Sequence, residues 1–220
     1  MRRILFRWRG YVVWSYPAML YLGLVAGVLV GNLAAHVTGV DALRVFAATL
    51  ILIPPAIAGA RLLYVAEHWE RYRASPRRIW NREEGGMAMY GGMPVMLLFS
   101  VPVVAAAGIG LGAFWDVASL TILTGMVFAK TGCWLNGCCA RGGTRGGSGA
   151  WAHIPAQLIE AGWAAVVLAI AGALLGRLSF PGELFLAVTA IHGAGRLMLI
   201  SMRQPDLGSN SKGETECPTI

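Results

Sequence analysis

Residues 129–141 end a long apolar segment and contain the residue types that most readily perform chemistry, in the order AKTGCWLNGCCAR. Lys130 provides a cation and Asn136 an amide, and three cysteines lie in the same stretch. Charged side chains at membrane depth are costly, so they usually mark functional sites. The cysteine spacing matches no usual zinc pattern and lacks a nearby histidine pair. Free thiols that behave as small apolar side chains are the favoured interpretation, and we predict no metal site.

Further polar residues lie within or near the ends of other apolar segments. They are the cations Arg61 and Arg196, the imidazole of His192 and the carboxylate of Glu160. Each cation alone could extend its side chain to the membrane surface. Together with Lys130, they favour a shared polar cavity. Such a cluster suits a phosphate, because arginine gives bidentate hydrogen bonds and lysine a point charge.

Residues 85–94, with the sequence GGMAMYGGMP, contain two glycine pairs followed by a proline. Glycine pairs disfavour a helix, and Pro94 can occupy the first turn of the next one. We therefore predict a non-helical turn whose free N–H groups, around Gly91 and Gly92, bind an anion. Because glycine-rich turns are common, this prediction depends on the neighbouring cations.

Gln157 and Glu160 follow Pro155, a residue suited to the start of a helix. Residues three apart share one face of a helix, so these two side chains should point the same way. A carboxylate within an apolar helix needs a partner, and an arginine of the cationic cluster is the candidate. Two interpretations stay open, a substrate-binding role and a purely structural ion pair.

The composition indicates a membrane protein. The 220 residues are 56% hydrophobic and 13% charged, and the mean hydropathy is +0.60. Soluble domains are about one quarter charged. The net charge of +7 comes from arginines in a few short segments, which indicates topology determinants and contacts with anionic headgroups. No basic domain with interleaved aromatic residues is present, so we expect no nucleic-acid partner.

Six apolar segments have close to the roughly 20 residues that a bilayer-spanning helix needs. They cover residues 12–35, 42–66, 93–113, 117–137, 155–176 and 183–202. We therefore predict an all-α, polytopic membrane protein with about six transmembrane helices around a polar lipid-binding cavity. One domain covers residues 1–206, and the polar residues 207–220 form a tail predicted to be disordered. The N-terminal apolar run is too long for a signal peptide, so we expect it to remain as the first span.

Arginines are unevenly distributed among the connections. The segment 67–92 combines them with tryptophan and tyrosine, which indicates either an amphipathic element on the headgroups or a plain charged loop. In a six-span arrangement this segment, the N-terminal arginines, the loop 138–153 and the tail share one side. The opposite loops contain only Arg177. By the positive-inside rule, both termini are then cytoplasmic.

Several segments, taken in order, resemble motifs of the prolipoprotein diacylglyceryl transferase family. They are residues 59–64 (GARLLY), 86–92 (GMAMYGG), 130–137 (KTGCWLNG), 155–161 (PAQLIEA), 193–196 (GAGR) and 203–206 (RQPD). The resemblance implies a multi-pass enzyme of the bacterial plasma membrane that needs no cofactor. It would transfer a diacylglyceryl group from phosphatidylglycerol to the lipobox cysteine of a prolipoprotein signal peptide.

The resemblance also implies roles for individual residues. The phosphate-binding arginines of the family correspond to Lys130 and Arg196, and its asparagine-glycine pair corresponds to Asn136 and Gly137. Tyr16 corresponds more loosely to a tyrosine of the first span. The implied site therefore combines phosphate-binding cations with an amide that orients the glycerol.

Two residue types are exchanged relative to the family. Tyr90 occupies the position of its histidine, whereas His192 lies where the family usually has tyrosine. An imidazole has an ordinary pKa near 6.5 and a phenol one near 10, so a histidine is the better base for a thiol whose pKa is about 8.5. We therefore assign proton transfer to His192, with Tyr90 as the alternative.

Other departures leave the function open. Cys133 and Cys138 replace an asparagine and an acidic residue of the signature, and Ile200 stands where a glutamate is common. The family also places the segment 67–92 outside the cytoplasm, the reverse of what the arginine count predicts. Two alternatives are a phospholipid-dependent transferase with a different acceptor and a non-catalytic phospholipid-binding paralogue.

Overall fold

The computed structural model describes residues 4–8, 11–73, 79, 89–136, 156–177 and 179–201. The helices are α1 (Ser15–Thr38), α2 (Ala42–Glu67), α3 (Trp69–Tyr72), α4 (Met89–Ala107), α5 (Leu111–Asn136), α6 (Ala156–Leu174) and α7 (Glu183–Ser201). Each of the six long helices overlaps one of the six predicted spans, which confirms the predicted helical, polytopic architecture. Short connections join α1 to α2 and α4 to α5, so the helices of each pair run antiparallel.

An antiparallel β-hairpin precedes α1 and was not predicted. Its strands are β1 (Ile4–Trp8) and β2 (Tyr11–Trp14). Residues 11–14 are aromatic or β-branched, types that favour a strand, and the sequence alone does not separate them from the apolar run that follows. The first helix consequently begins at Ser15 rather than at residue 12.

The outer surface of the helices is apolar. Tyr21, Leu33 and Val37 of α1 are exposed, as are Leu98 of α4 and Leu197 of α7. Four described helices are long and apolar enough to cross a membrane, namely Ser15–Thr38, Ala42–Glu67, Leu111–Asn136 and Gln157–Leu174, and Gly91–Ala107 is a shorter apolar helix. A surface of this kind suits lipid rather than water, so the protein is a polytopic membrane protein.

Helix α5 lies at the centre of the bundle and packs against α1, α6, α7 and α4. Its residues Phe114, Val117 and Leu123 are buried in the core. Helix α1 approaches α5 closely through glycines spaced by four: a methyl group at Gly23 would lie 2.8 Å from Cβ of Phe128. Small residues at this spacing let transmembrane helices pack backbone to backbone.

The predicted non-helical turn around residues 91–94 is wrong. Glycines in this segment instead pack α4 closely against α2. Gly91, Gly92 and Pro94 lie inside α4. A methyl group at Gly92 would lie 2.8 Å from the carbonyl oxygen of Ala56, and one at Gly91 would overlap the backbone of Gly59. The glycine pair therefore permits close helix packing and does not form a non-helical turn.

A glycine ends α4 earlier than predicted. Gly108 has φ of +68° and follows the last residue of the helix, whereas the predicted span continued to residue 113. The left-handed conformation suits glycine and terminates helices. Helix α5 accordingly begins at Leu111 rather than at residue 117.

Candidate functional site

The C-terminal half of α5 meets α6 and α7 around a small polar cavity of about 10 Å³. Its walls are formed by Met126, Lys130, Glu160, Trp163, His192, Arg196 and Leu199. Within each helix the lining residues are three or four apart, so they share one face. Three of the predicted site helices therefore converge on one point.

Lys130 and Glu160 form an ion pair across this cavity. The lysine Nζ lies 2.5 Å from Oε2 of Glu160, and the two side chains are 20% and 10% exposed. The carboxylate thus has a cationic partner, as its place in an apolar helix requires, and Lys130 provides this charge. Gln157 lies about one helical turn before Glu160 on α6, and its side chain is also buried. This agrees with the prediction that two residues three apart share one helix face.

His192 lies within the electrostatic reach of all three charged residues of the cavity. The charges of Arg196, Lys130 and Glu160 act on its imidazole. Its Nδ1 atom is buried and has no hydrogen-bond partner among the residues that the structure describes. An unpartnered buried nitrogen in a cavity lined by charges is positioned to contact a ligand or move a proton.

Trp163 is a member of this site that the sequence reasoning missed. Its Nε1 atom is also buried and, in the described part of the chain, has no hydrogen-bond partner. The indole packs directly on Gly195 of α7, where a methyl group would overlap the ring. Its position three residues after Glu160, on the same helix face, is the signal that could have identified it.

Arg61 lies in a different environment and is not one of the residues that line the cavity. It is buried on α2, and its Nε donates a hydrogen bond of 2.7 Å to the carbonyl oxygen of Ile79. Its guanidinium carbon lies 5.6 Å from the ring centre of Tyr64 and 5.5 Å from that of Tyr72. These contacts connect α2 to the segment that follows α3, a structural role that the sequence did not predict.

Tyr16 and the end of α5 lie close together. A methyl group at Gly132 would be 3.5 Å from Cδ2 of Tyr16 in the first turn of α1. Asn136 is the last residue of α5, and its side chain is half-buried. The loosely matched tyrosine is thus a neighbour of the polar stretch that begins at Lys130.

A family model for prolipoprotein diacylglyceryl transferases matches residues 3–217. The chain belongs to this family. The match covers nearly the whole sequence and confirms the resemblance predicted from the separate motifs.

Two similar relatives illustrate the divergence within this family. The phosphatidylglycerol–prolipoprotein diacylglyceryl transferase of Bacillus mycoides is 26% identical over 126 residues, which are 57% of this chain and 47% of the relative. The enzyme of the same name from Bacillus cereus is 27% identical over the same shares. The chain thus spans about half the length of the curated relatives that it matches.

Some predicted features lie outside the described residues. They are Gly137, Cys138, the side chain of Tyr90, most of the proposed amphipathic element and the tail 207–220. Cys133 is half-buried and forms no disulfide among the described residues. The described residues contain no group of three or more metal-ligating side chains. The candidate site, as far as the structure describes it, therefore consists of cations, a carboxylate, an imidazole and an indole.

Proposed function

We propose that this protein transfers a diacylglyceryl group from phosphatidylglycerol to the cysteine thiol of prolipoproteins. One observation carries the proposal: in a member of this family, Lys130, Arg196 and His192 converge on one cavity within an apolar helical bundle. The relatives from Bacillus bear the name of this activity. The proposed location is the bacterial plasma membrane, where the bilayer supplies the lipid substrate.

The proposed reaction is a displacement at the carbon of the diacylglyceryl group that is bonded to the phosphate oxygen. A base takes the proton of the cysteine thiol, and the thiolate sulfur then forms a bond to that carbon. The bond between the carbon and the phosphate oxygen breaks, and its electron pair stays with the departing glycerol phosphate. Two cations near the phosphate would stabilise the negative charge that develops on the leaving group.

In this scheme His192 is the base, and Tyr90 is the alternative. Lys130 and Arg196 bind the phosphate, as a point charge and as a bidentate donor respectively. Glu160 holds the ammonium of Lys130 in position through the ion pair of 2.5 Å. Asn136 orients the glycerol in this proposal, with further contacts from Gly137 and Tyr16.

The test uses the full chain reconstituted in vesicles that contain phosphatidylglycerol, together with a peptide that contains a lipobox cysteine. We expect release of glycerol phosphate and a matching amount of diacylglyceryl-modified peptide. Release without modified peptide would indicate a different acceptor. Binding of phosphatidylglycerol without release would indicate the non-catalytic paralogue.

The orientation of the site provides an independent test. A topology reporter fused after Asp206 shows on which side of the membrane the end of α7 lies. A prolipoprotein presents its cysteine at the outer face, so we expect a non-cytoplasmic signal. A cytoplasmic signal would agree with the arginine count and contradict lipoprotein modification.

A further inference from the structure

Two polar atoms of the cavity lack the partners that buried polar atoms normally have. The Nε1 atom of Trp163 and the Nδ1 atom of His192 are both buried, and neither has a hydrogen-bond partner among the described residues. Most buried polar atoms in proteins are paired, so each exception calls for an explanation. Both side chains line the same cavity, which makes one common partner the simplest explanation.

The chemistry of the two atoms defines what that partner must be. An indole N–H can only donate a hydrogen bond, so the partner must accept one from Trp163. An imidazole nitrogen is a donor or an acceptor according to its tautomer. A hydroxyl oxygen satisfies both atoms with either tautomer, because it has two lone pairs and one proton.

The cavity has room for such an oxygen. Its volume of about 10 Å³ is sufficient for one water molecule. The partner that fits the two atoms is therefore a water molecule or one hydroxyl group of a bound ligand.

We propose that Trp163 and His192 hold one hydroxyl oxygen between Nε1 and Nδ1, and that Trp163 is a positioning residue of the site. The oxygen comes from water or from the glycerol headgroup of phosphatidylglycerol. The second source rests on the proposed function, whereas the first does not. Trp163 acts through this oxygen, which fixes the orientation of the His192 imidazole.

The decisive measurement is the indole N–H resonance of Trp163 in full-length protein labelled with ¹⁵N-tryptophan. Trp163→Phe assigns the resonance. Trp115 supplies an internal hydrogen-bonded reference, because its Nε1 donates to Oγ of Ser100 at 3.0 Å. The samples are nanodiscs of phosphatidylcholine alone, with added phosphatidylglycerol, or with an added phosphatidylalkanol whose headgroup has no hydroxyl.

Three results distinguish the possibilities. A hydrogen-bonded Trp163 resonance that no lipid changes supports a bound water. A shift with phosphatidylglycerol that the alkanol lipid does not reproduce supports a lipid hydroxyl. The proposal is overturned if the resonance indicates no hydrogen bond in any sample, or if both lipids shift it equally. None of these results requires turnover, so failure of the proposed activity stays distinguishable.

A pair of glycine variants tests the position of the indole without removing it. A methyl group at Gly195 overlaps the Trp163 ring, whereas one at Gly193 meets no atom of the described residues within 4 Å. We expect Gly195→Ala and Trp163→Phe each to lower turnover by about fivefold, the worth of one ordinary hydrogen bond. Gly193→Ala should leave turnover and the Trp163 resonance unchanged. Equal turnover in the two alanine variants would overturn the positioning role.

Discussion

The two ends of helix α5 handle buried polar groups in opposite ways. At the N-terminal end, Trp115 donates to the hydroxyl of Ser100, and the Asp116 carboxylate accepts from the backbone N–H groups of Gly182 and Phe185. At the C-terminal end, Lys130 pairs with Glu160, but the nearby nitrogens of Trp163 and His192 are left unpaired in the described structure. One end is satisfied internally and the other is not.

The difference separates a structural role from a functional one. Asp116 closes the start of α7, because the first N–H groups of a helix have no partners within it. Its two hydrogen bonds, of 2.7 and 2.9 Å, join α5 to α7. At the other end, the nitrogens of Trp163 and His192 have no hydrogen-bond partner in the described structure, which costs stability. We propose that a ligand supplies this partner, and mutating each end of α5 tests the comparison.

The largest expected effect is the loss of turnover on mutation of His192. In the His192→Ala protein the base is gone, so turnover should fall by about 10²–10⁴-fold, the usual contribution of a general base. Turnover is measured as glycerol phosphate released from phosphatidylglycerol vesicles. Tyr90→Phe is the matched variant for the alternative base and should have a smaller effect. Full activity in the His192→Ala protein would reject the assignment.

A smaller loss of turnover is expected on mutation of Lys130, which pairs with Glu160. Lys130→Ala removes one cation that stabilises the departing phosphate, so turnover should fall by about 10²–10³-fold. Lys130→Arg keeps the charge and should retain most of the activity. Both proteins are compared with the unaltered protein by product release and by thermal unfolding. If Lys130→Ala lowered only the melting temperature, the pair would be purely structural.

At the opposite end of α5 the expected effect is on stability alone. Asp116→Ala leaves two N–H groups of the α7 start without their acceptor and should lower the free energy of unfolding by about 1–2 kcal/mol. Denaturant unfolding in detergent micelles measures this change. Turnover per folded molecule should stay the same. A loss of turnover comparable to that of Lys130→Ala would remove the distinction between the two ends.

The smallest effect is expected for Trp115→Phe. The variant removes the hydrogen bond to Ser100, which should cost about 1 kcal/mol of stability. The same unfolding measurement applies. Its turnover should equal that of the unaltered protein, in contrast to Trp163→Phe. If both tryptophan variants lost activity equally, the loss would reflect general packing rather than the site.

The sequence predicted much of the cavity lining because charged and polar side chains are rare within apolar segments and need one another there. Four such residues line the cavity in the structure, namely Lys130, Glu160, His192 and Arg196. The importance of Lys130 followed from a charge in an apolar segment. Trp163 was missed because an indole in an apolar helix does not differ, by residue type alone, from any lipid-facing or core tryptophan.

Residue type and position in an apolar segment did not predict the location of Arg61. Its charge and its place in an apolar segment matched those of Lys130 and Arg196, so all three were predicted to share a cavity. In the fold, the Arg61 guanidinium lies beside Tyr64 and Tyr72, with its Nε bonded to Ile79. Residue type and spacing define a helix face but not the helix that packs against it.

The sequence by itself determined the six long helices, because a chain in lipid must satisfy its backbone hydrogen bonds within each span. Apolar length alone therefore located each helix to within a few residues, apart from the ends that Gly108 and the β-hairpin displaced. Only the tertiary structure decided which helices meet. Those contacts depend on the fit between residues that are distant in sequence, such as Gly92 against Ala56 and Gly195 against Trp163. No local sequence pattern encodes that fit.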